Sequence, residues 1–139
     1  MIILGIGSPF PHDPAAAIVA DGKIRAAADE ERFIREKHAK DKLAVNAVKF
    51  CLEKTGVKAK DVDVVAYPWS FGAYLSSLPR YVARCWRTRP SRAFKAVSKT
   101  FSSNKNAVDI LNRTLAACGI PSGVKKYFIE HHMAHASSA

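Results

Sequence analysis

A chain of 139 residues, 48% hydrophobic and 24% charged, is long enough for one domain with a core of its own, which argues against wholesale disorder. Its formal charge of +10 is concentrated in the middle: no acidic residue stands between Asp63 and Asp109, where Arg80, Arg84, Arg87, Arg89, Arg92, Lys95, Lys99 and Lys105 fall. Cys51, Cys85 and Cys118 are an odd set without a Cys-x-x-Cys pair, against a disulfide framework or thiolate zinc site, and no apolar run reaches the roughly 20 residues that span a bilayer.

The opening run Met1 to Gly7 has no basic residue before it and leads into Pro9, Pro11 and Asp13 rather than a cleavage site, so no secretory leader is read and a cytoplasmic location is expected. Ile2 to Gly7 reads as a buried strand. Ala15 to Ala20 and Lys23 to Ala28 flank Asp21-Gly22, a hairpin-turn dipeptide. A three-stranded meander thus precedes any helix. Between its first two strands lies His12-Asp13, where an imidazole titrating near neutrality suits a general base or orienting group, although a plain polar turn fits as well. After the third strand, Asp29 to His38 has the mixed charge of a solvated surface, or else Arg32, Arg35 or Lys37 holds an anionic oxygen such as phosphate.

Apolar residues from Leu43 to Leu52 leave a polar stripe over Lys42 to Lys54, with Gly56 at the C-cap position, and predict a helix. Asp61 to Tyr67 reads as a strand stopped by Pro68. Residues Ser70 to Lys105, punctuated by Pro79 and Pro90, are basic, aromatic and helix-leaning, and are expected to form an insertion or lid ending in a loop at Ser102-Ser103-Asn104. On a helix Arg80, Arg84 and Arg87 share one face near Tyr81, Trp86 and Phe94. Such a face is either solvated, or neutralised by an acidic part of the same protein, or able to bind phosphate or nucleic acid. Asn106 to Cys118 is helical in pattern up to Gly119 and Pro121, and Tyr127 to Ile129 reads as a short buried strand.

That strand delivers the chain to Glu130-His131-His132-Met133-Ala134-His135. On a helix His131 and His135 lie four residues apart on one face, so their imidazoles can converge on one divalent metal. His132 points elsewhere. Two nitrogens do not complete a site, so a third ligand must come from another part of the protein.

In this order, Ile3 to Ile6, His12-Asp13 before Ala15-Ala16-Ala17, Asp21-Gly22, Glu30-Glu31-Arg32-Phe33, Lys37-His38 and Glu130 to Ala139 resemble the N-terminal domain of the carbamoyltransferases of nodulation factors, cephamycin-type antibiotics and aminoglycosides. The resemblance covers nearly the whole chain and is densest at residues 1 to 56 and 127 to 139. It implies an α/β fold of the actin-like, sugar-kinase and Hsp70 type (ribonuclease H-like), present here in part over 1–139. It also implies a two-step, ATP-dependent reaction, in which a C-terminal domain absent from this chain makes carbamoyl adenylate from carbamoyl phosphate and ATP. The present type of domain then passes the carbamoyl group to the hydroxyl of a small-molecule acceptor.

By the same resemblance, His131 and His135 are the metal pair, holding iron or a similar divalent ion against nucleotide phosphates. His12 and Lys37 stand at the transferred carbamoyl group, while Asp13 and Arg32 serve the bound nucleotide. Pro11 and Pro14 depart from the family pattern around His12 and stiffen its loop. The chain by itself is expected to be inactive and to expose edge strands and an apolar sheet face. Two alternatives remain: a tRNA-modifying or nucleic-acid-binding member of the same superfamily, and a non-catalytic remnant.

Overall fold

The computed structural model describes residues 1–7 and 13–137. Its centre is a mixed five-stranded sheet of strands β1 (Ile2–Ile6), β2 (Ala15–Ala20), β3 (Lys23–Asp29), β4 (Val64–Tyr67) and β5 (Lys125–Phe128), in the order β3-β2-β1-β4-β5. The first three strands pair antiparallel, while β4 lies parallel to β1 and β5 parallel to β4. The meander predicted from the sequence is therefore present. Its hairpin turns where predicted, with Asp21 at φ 52° and Gly22 at φ 74°, the left-handed pair that matches the twist of a two-residue hairpin.

Parallel pairing needs crossovers, and helices supply them. Helix α1 (Glu31–Ile34), a 3-10 turn (Lys37–Ala39) and α2 (Val45–Thr55) lead from β3 toward β4, and α3 (Phe71–Trp86) and α4 (Pro90–Ala117) lead on to β5. Helix α2 ends at Gly56, whose φ of 69° is open to a residue without a Cβ. Strand alternation sorts the two sheet faces. Leu4 pairs with both Ile18 and Val65, and all three are fully buried on one face beneath Val48 and Cys51 of α2 and Leu111 of α4. Truncating one of these larger side chains to alanine typically costs about 2–5 kcal/mol. Gly5 pairs with Ala17 and Ala66, so the opposite face is paved with small residues.

Two expectations are corrected. Ser102-Ser103-Asn104 is not a loop but lies inside α4, a single helix of 28 residues. Continuity follows from a buried stripe through Ala93, Ala107, Leu111 and Leu115, and from the Asn104 side chain, which accepts a hydrogen bond from Nε1 of buried Trp69 at 3.1 Å. Pro79 likewise sits within α3, whose first turn is capped by Ser70. Second, Tyr127 to Ile129 is exposed rather than buried, with Tyr127 at 47% and Phe128 at 43%. Strand β5 is an edge strand paired only with β4 among the described residues, so its outer side has no neighbour to bury it. No helix among the described residues is long and apolar enough to cross a membrane.

Candidate functional site

The parallel pairing of β5 with β4 carries the chain to a fixed point at the carboxyl edge of the sheet. There the Ile129 amide donates to the carbonyl of Tyr67 at 2.8 Å, and helix α5 (His131–Ala136) begins. Glu130 caps it, one carboxylate oxygen accepting from the Met133 amide at 2.9 Å and the other lying 2.8 Å from Nδ1 of His132. These two hydrogen bonds, the His132 one foremost, hold the Glu130 carboxyl below the usual carboxylate range. His132 thereby turns its Nδ1 to Glu130, while its ring still lies edge to face against His131 at 5.8 Å between centroids.

His131 and His135 do converge: their Nε2 atoms are 3.2 Å apart and their rings meet edge to face at 4.5 Å between centroids. Two nitrogens each about 2.0–2.1 Å from one ion, at angles between octahedral and tetrahedral, stand roughly 2.8–3.4 Å apart. The donor pair therefore fits a divalent metal. Among the described residues no third His, Cys, Asp or Glu is grouped with this pair.

Helix α5 also walls a cleft of about 460 Å³ over the small-residue face of the sheet, lined by Gly5, Ala17, Ala27, Ala66, Ile129 and Ala134. Ala134 lies on the same short helix as the two imidazoles, so the open face and the facing His131–His135 pair share one edge of the sheet. This fits the placement of ligand sites outside the carboxyl ends of parallel strands. A second cleft of about 440 Å³ lies between α3 and α4, where Trp69 stacks on Tyr74 at 4.6 Å and Tyr81 and Lys99 form the wall.

The charged segment after β3 resolves into two functions. Glu30 is 2% exposed and turns inward, its carboxylate accepting from the Ala47 amide at 2.8 Å, the Asn46 amide at 3.3 Å and the Asn46 side chain at 2.5 Å. It thereby caps α2 from a distance, because Ala44 at the N-cap has no side chain able to do so. Glu31 faces the following turn, accepting from the His38 amide at 2.9 Å. Asp13 lies at φ 54° with Oδ1 2.8 Å from His38 Nδ1, and Asp13, Glu31 and His38 bring their ligand atoms within 4.8 Å of one another. Arg32 and Lys37 are both exposed. His12 lies outside the described residues.

Sequence reasoning missed Glu30 and His38 as structural partners. The one signal for Glu30 was a helix start without a capping side chain at Ala44. Cys51 is buried and Cys85 and Cys118 are partly so, all three as free thiols, in line with the odd count.

Residues 2–139 match the family model described as Carbamoyltransferase N-terminus. The chain is 36% identical over 142 residues to an uncharacterized protein of Synechocystis sp., covering 99% of this chain and 22% of that protein. It is 32% identical over 139 residues to the nodulation protein NolNO of Sinorhizobium fredii, covering 98% of this chain and 18% of NolNO. A 58-residue stretch is 41% identical to an uncharacterized 19.2 kDa protein of Rhizobium etli, covering 42% of this chain and 33% of that protein. The chain thus spans about a fifth of the length of the two curated relatives that match it nearly end to end.

Proposed function

The chain belongs to the carbamoyltransferase N-terminus family, and from that premise we propose that it is part of an ATP-dependent O-carbamoyltransferase. The observation that carries the reading is the pair of facing imidazoles, His131 and His135, at 3.2 Å on the edge where the open small-residue cleft ends. The sheet order β3-β2-β1-β4-β5, an antiparallel meander followed by two parallel strands, supports an actin-like, ribonuclease H-like fold present in part. On this reading residues 70 to 105, helix α3 and the first half of α4, form the basic insertion or lid, carbamoyl adenylate is made from carbamoyl phosphate and ATP elsewhere in a longer protein, and the enzyme works in the cytoplasm.

In the transfer step the acceptor hydroxyl oxygen attacks the carbamoyl carbon, forming the new C–O bond. The bond to the adenylate phosphate oxygen breaks, and AMP leaves with the electron pair. The hydroxyl proton passes to a base, a role suited to His12, while the ammonium of Lys37 stabilises negative charge on the carbonyl oxygen. His131 and His135 would hold a divalent ion, iron in the family pattern, which would supply positive charge to neutralise and orient nucleotide phosphates. On the same reading Asp13 and Arg32 serve the bound nucleotide. Calorimetric titration of the longer enzyme with Fe²⁺ and ATP tests this, with binding lost in His131→Ala and His135→Ala. Unchanged binding in those variants overturns the site.

A second reading is favoured by one observation, the run of arginines on α3 and α4 beside exposed Tyr81, Trp86 and Phe94, which suits a nucleic acid. RNA binding that falls steeply with salt would support it over a small-molecule acceptor.

A further inference from the structure

His38 is held from three directions by side chains and backbone of other segments. Its Nδ1 lies 2.8 Å from Asp13 Oδ1, its carbonyl accepts from the Asp13 amide at 2.8 Å, and its own amide donates to Glu31 Oε2 at 2.9 Å. The entrance to β2, helix α1 and the 3-10 turn are tied together at this one residue. The backbone held there is unusual: Arg35, His38, Ala39 and Asp41 have φ of 55°, 64°, 38° and 59°, and Asp13 opposite them has φ 54°. Left-handed φ is strained for Arg35, His38 and Ala39 and milder for aspartate, so such a turn persists only where surrounding contacts over-determine it. Its outer surface carries Lys37, one Cα step of about 3.8 Å from His38.

We propose that Asp13, Glu31 and His38 are positioning residues that lock the turn carrying Lys37, so that its ammonium is presented to the carbamoyl carbonyl from one fixed anchor point. The inference rests on the carbamoyltransferase reading of Lys37. A lysine on a four-carbon stem loses rotational freedom when it acts, and a rigid base confines that loss to the side chain. The Asp13 carboxylate, 2.8 Å from Nδ1, fixes the orientation of the His38 ring. Glu31, which accepts from a backbone amide, holds the peptide rather than the ring. These contacts account for two motif residues, Glu31 and His38, that transfer chemistry leaves without a part, and give Asp13 a positioning role as well.

The test has two arms on the longer enzyme: steady-state carbamoyl transfer, and the rate at which an amine-reactive reagent labels Lys37, read by mass spectrometry. Asp13→Ala and His38→Ala should each lower kcat roughly 10-fold to 100-fold with KM for carbamoyl phosphate within about threefold, and change the Lys37 labelling rate. The double variant should be no worse than the poorer single one, because both break the same contact. Glu31→Gln, which keeps an acceptor, should recover most of the kcat lost in Glu31→Ala. Parent-like kcat and labelling in Asp13→Ala and His38→Ala overturn the proposal. A parent that transfers no carbamoyl group overturns the carbamoyltransferase reading instead, and the labelling arm then decides the clamp by itself: a changed rate upholds the lock on Lys37, an unchanged one refutes it.

Discussion

The carboxylate of Glu30, at the end of β3, accepts a hydrogen bond from the backbone amide of Ala47, in the first turn of α2, at 2.8 Å. One charged side chain, almost wholly buried, thereby joins the meander to the helix that covers it. Replacing Glu30 by Gln removes charge and one acceptor from two amides and an Asn46 side chain, and should destabilise the chain by about 1.5–3 kcal/mol. Urea denaturation followed by circular dichroism checks this, and a loss within a few tenths of a kcal/mol would mean that the cap contributes little.

The facing of His131 and His135 predicts joint dependence of metal binding on both. Alanine at either position should weaken divalent-ion affinity by roughly 100-fold or more, since the remaining imidazole is a single ligand. Asp109→Asn, at an exposed ion pair on α4, should leave affinity unchanged. Titration with Fe²⁺ or Zn²⁺ monitored by calorimetry separates these outcomes.

Tyr67 is fully buried, and its hydroxyl has no hydrogen-bond partner among the described residues; burial pushes its pKa up. Because a buried donor without a partner is a net cost, Tyr67→Phe should leave stability unchanged or raise it by up to about 1 kcal/mol. A lower thermal midpoint in the variant would show that the hydroxyl is bonded.

Burial raises the Cys118 thiol from 9.0 to about 11, with Glu30 adding to the rise and Lys49 opposing it. The sign follows directly: the folded state favours the neutral thiol, so its contribution is complete below pH 9.0 and is lost as pH rises toward about 11. Urea midpoints should therefore fall across that alkaline window, and Cys118→Ala should flatten part of the slope. Near pH 8, iodoacetamide should label Cys118 far more slowly in the folded chain than in urea.

Much of this molecule was legible before its structure. The Asp21-Gly22 hairpin, the helix ending at Gly56 and the i, i+4 spacing of His131 and His135 are written in residues within a turn of one another, where backbone preference and side-chain periodicity act directly. The basic stretch was readable as helix-leaning but not as one helix through Ser102 to Asn104, because the decisive contact, Trp69 to Asn104, spans 35 positions. Glu30 looked like surface charge because its amide partners lie 16 and 17 residues away and only packing of α2 on β2 and β3 brings them to it. The tie between Asp13 and His38, 25 positions apart, was hidden for the same reason. Local pattern set which elements form and which two imidazoles meet, whereas tertiary packing decided which charges turn inward, which sheet face stays open and where Lys37 is anchored, since a buried polar group must take its partner from whatever segment the fold brings within reach.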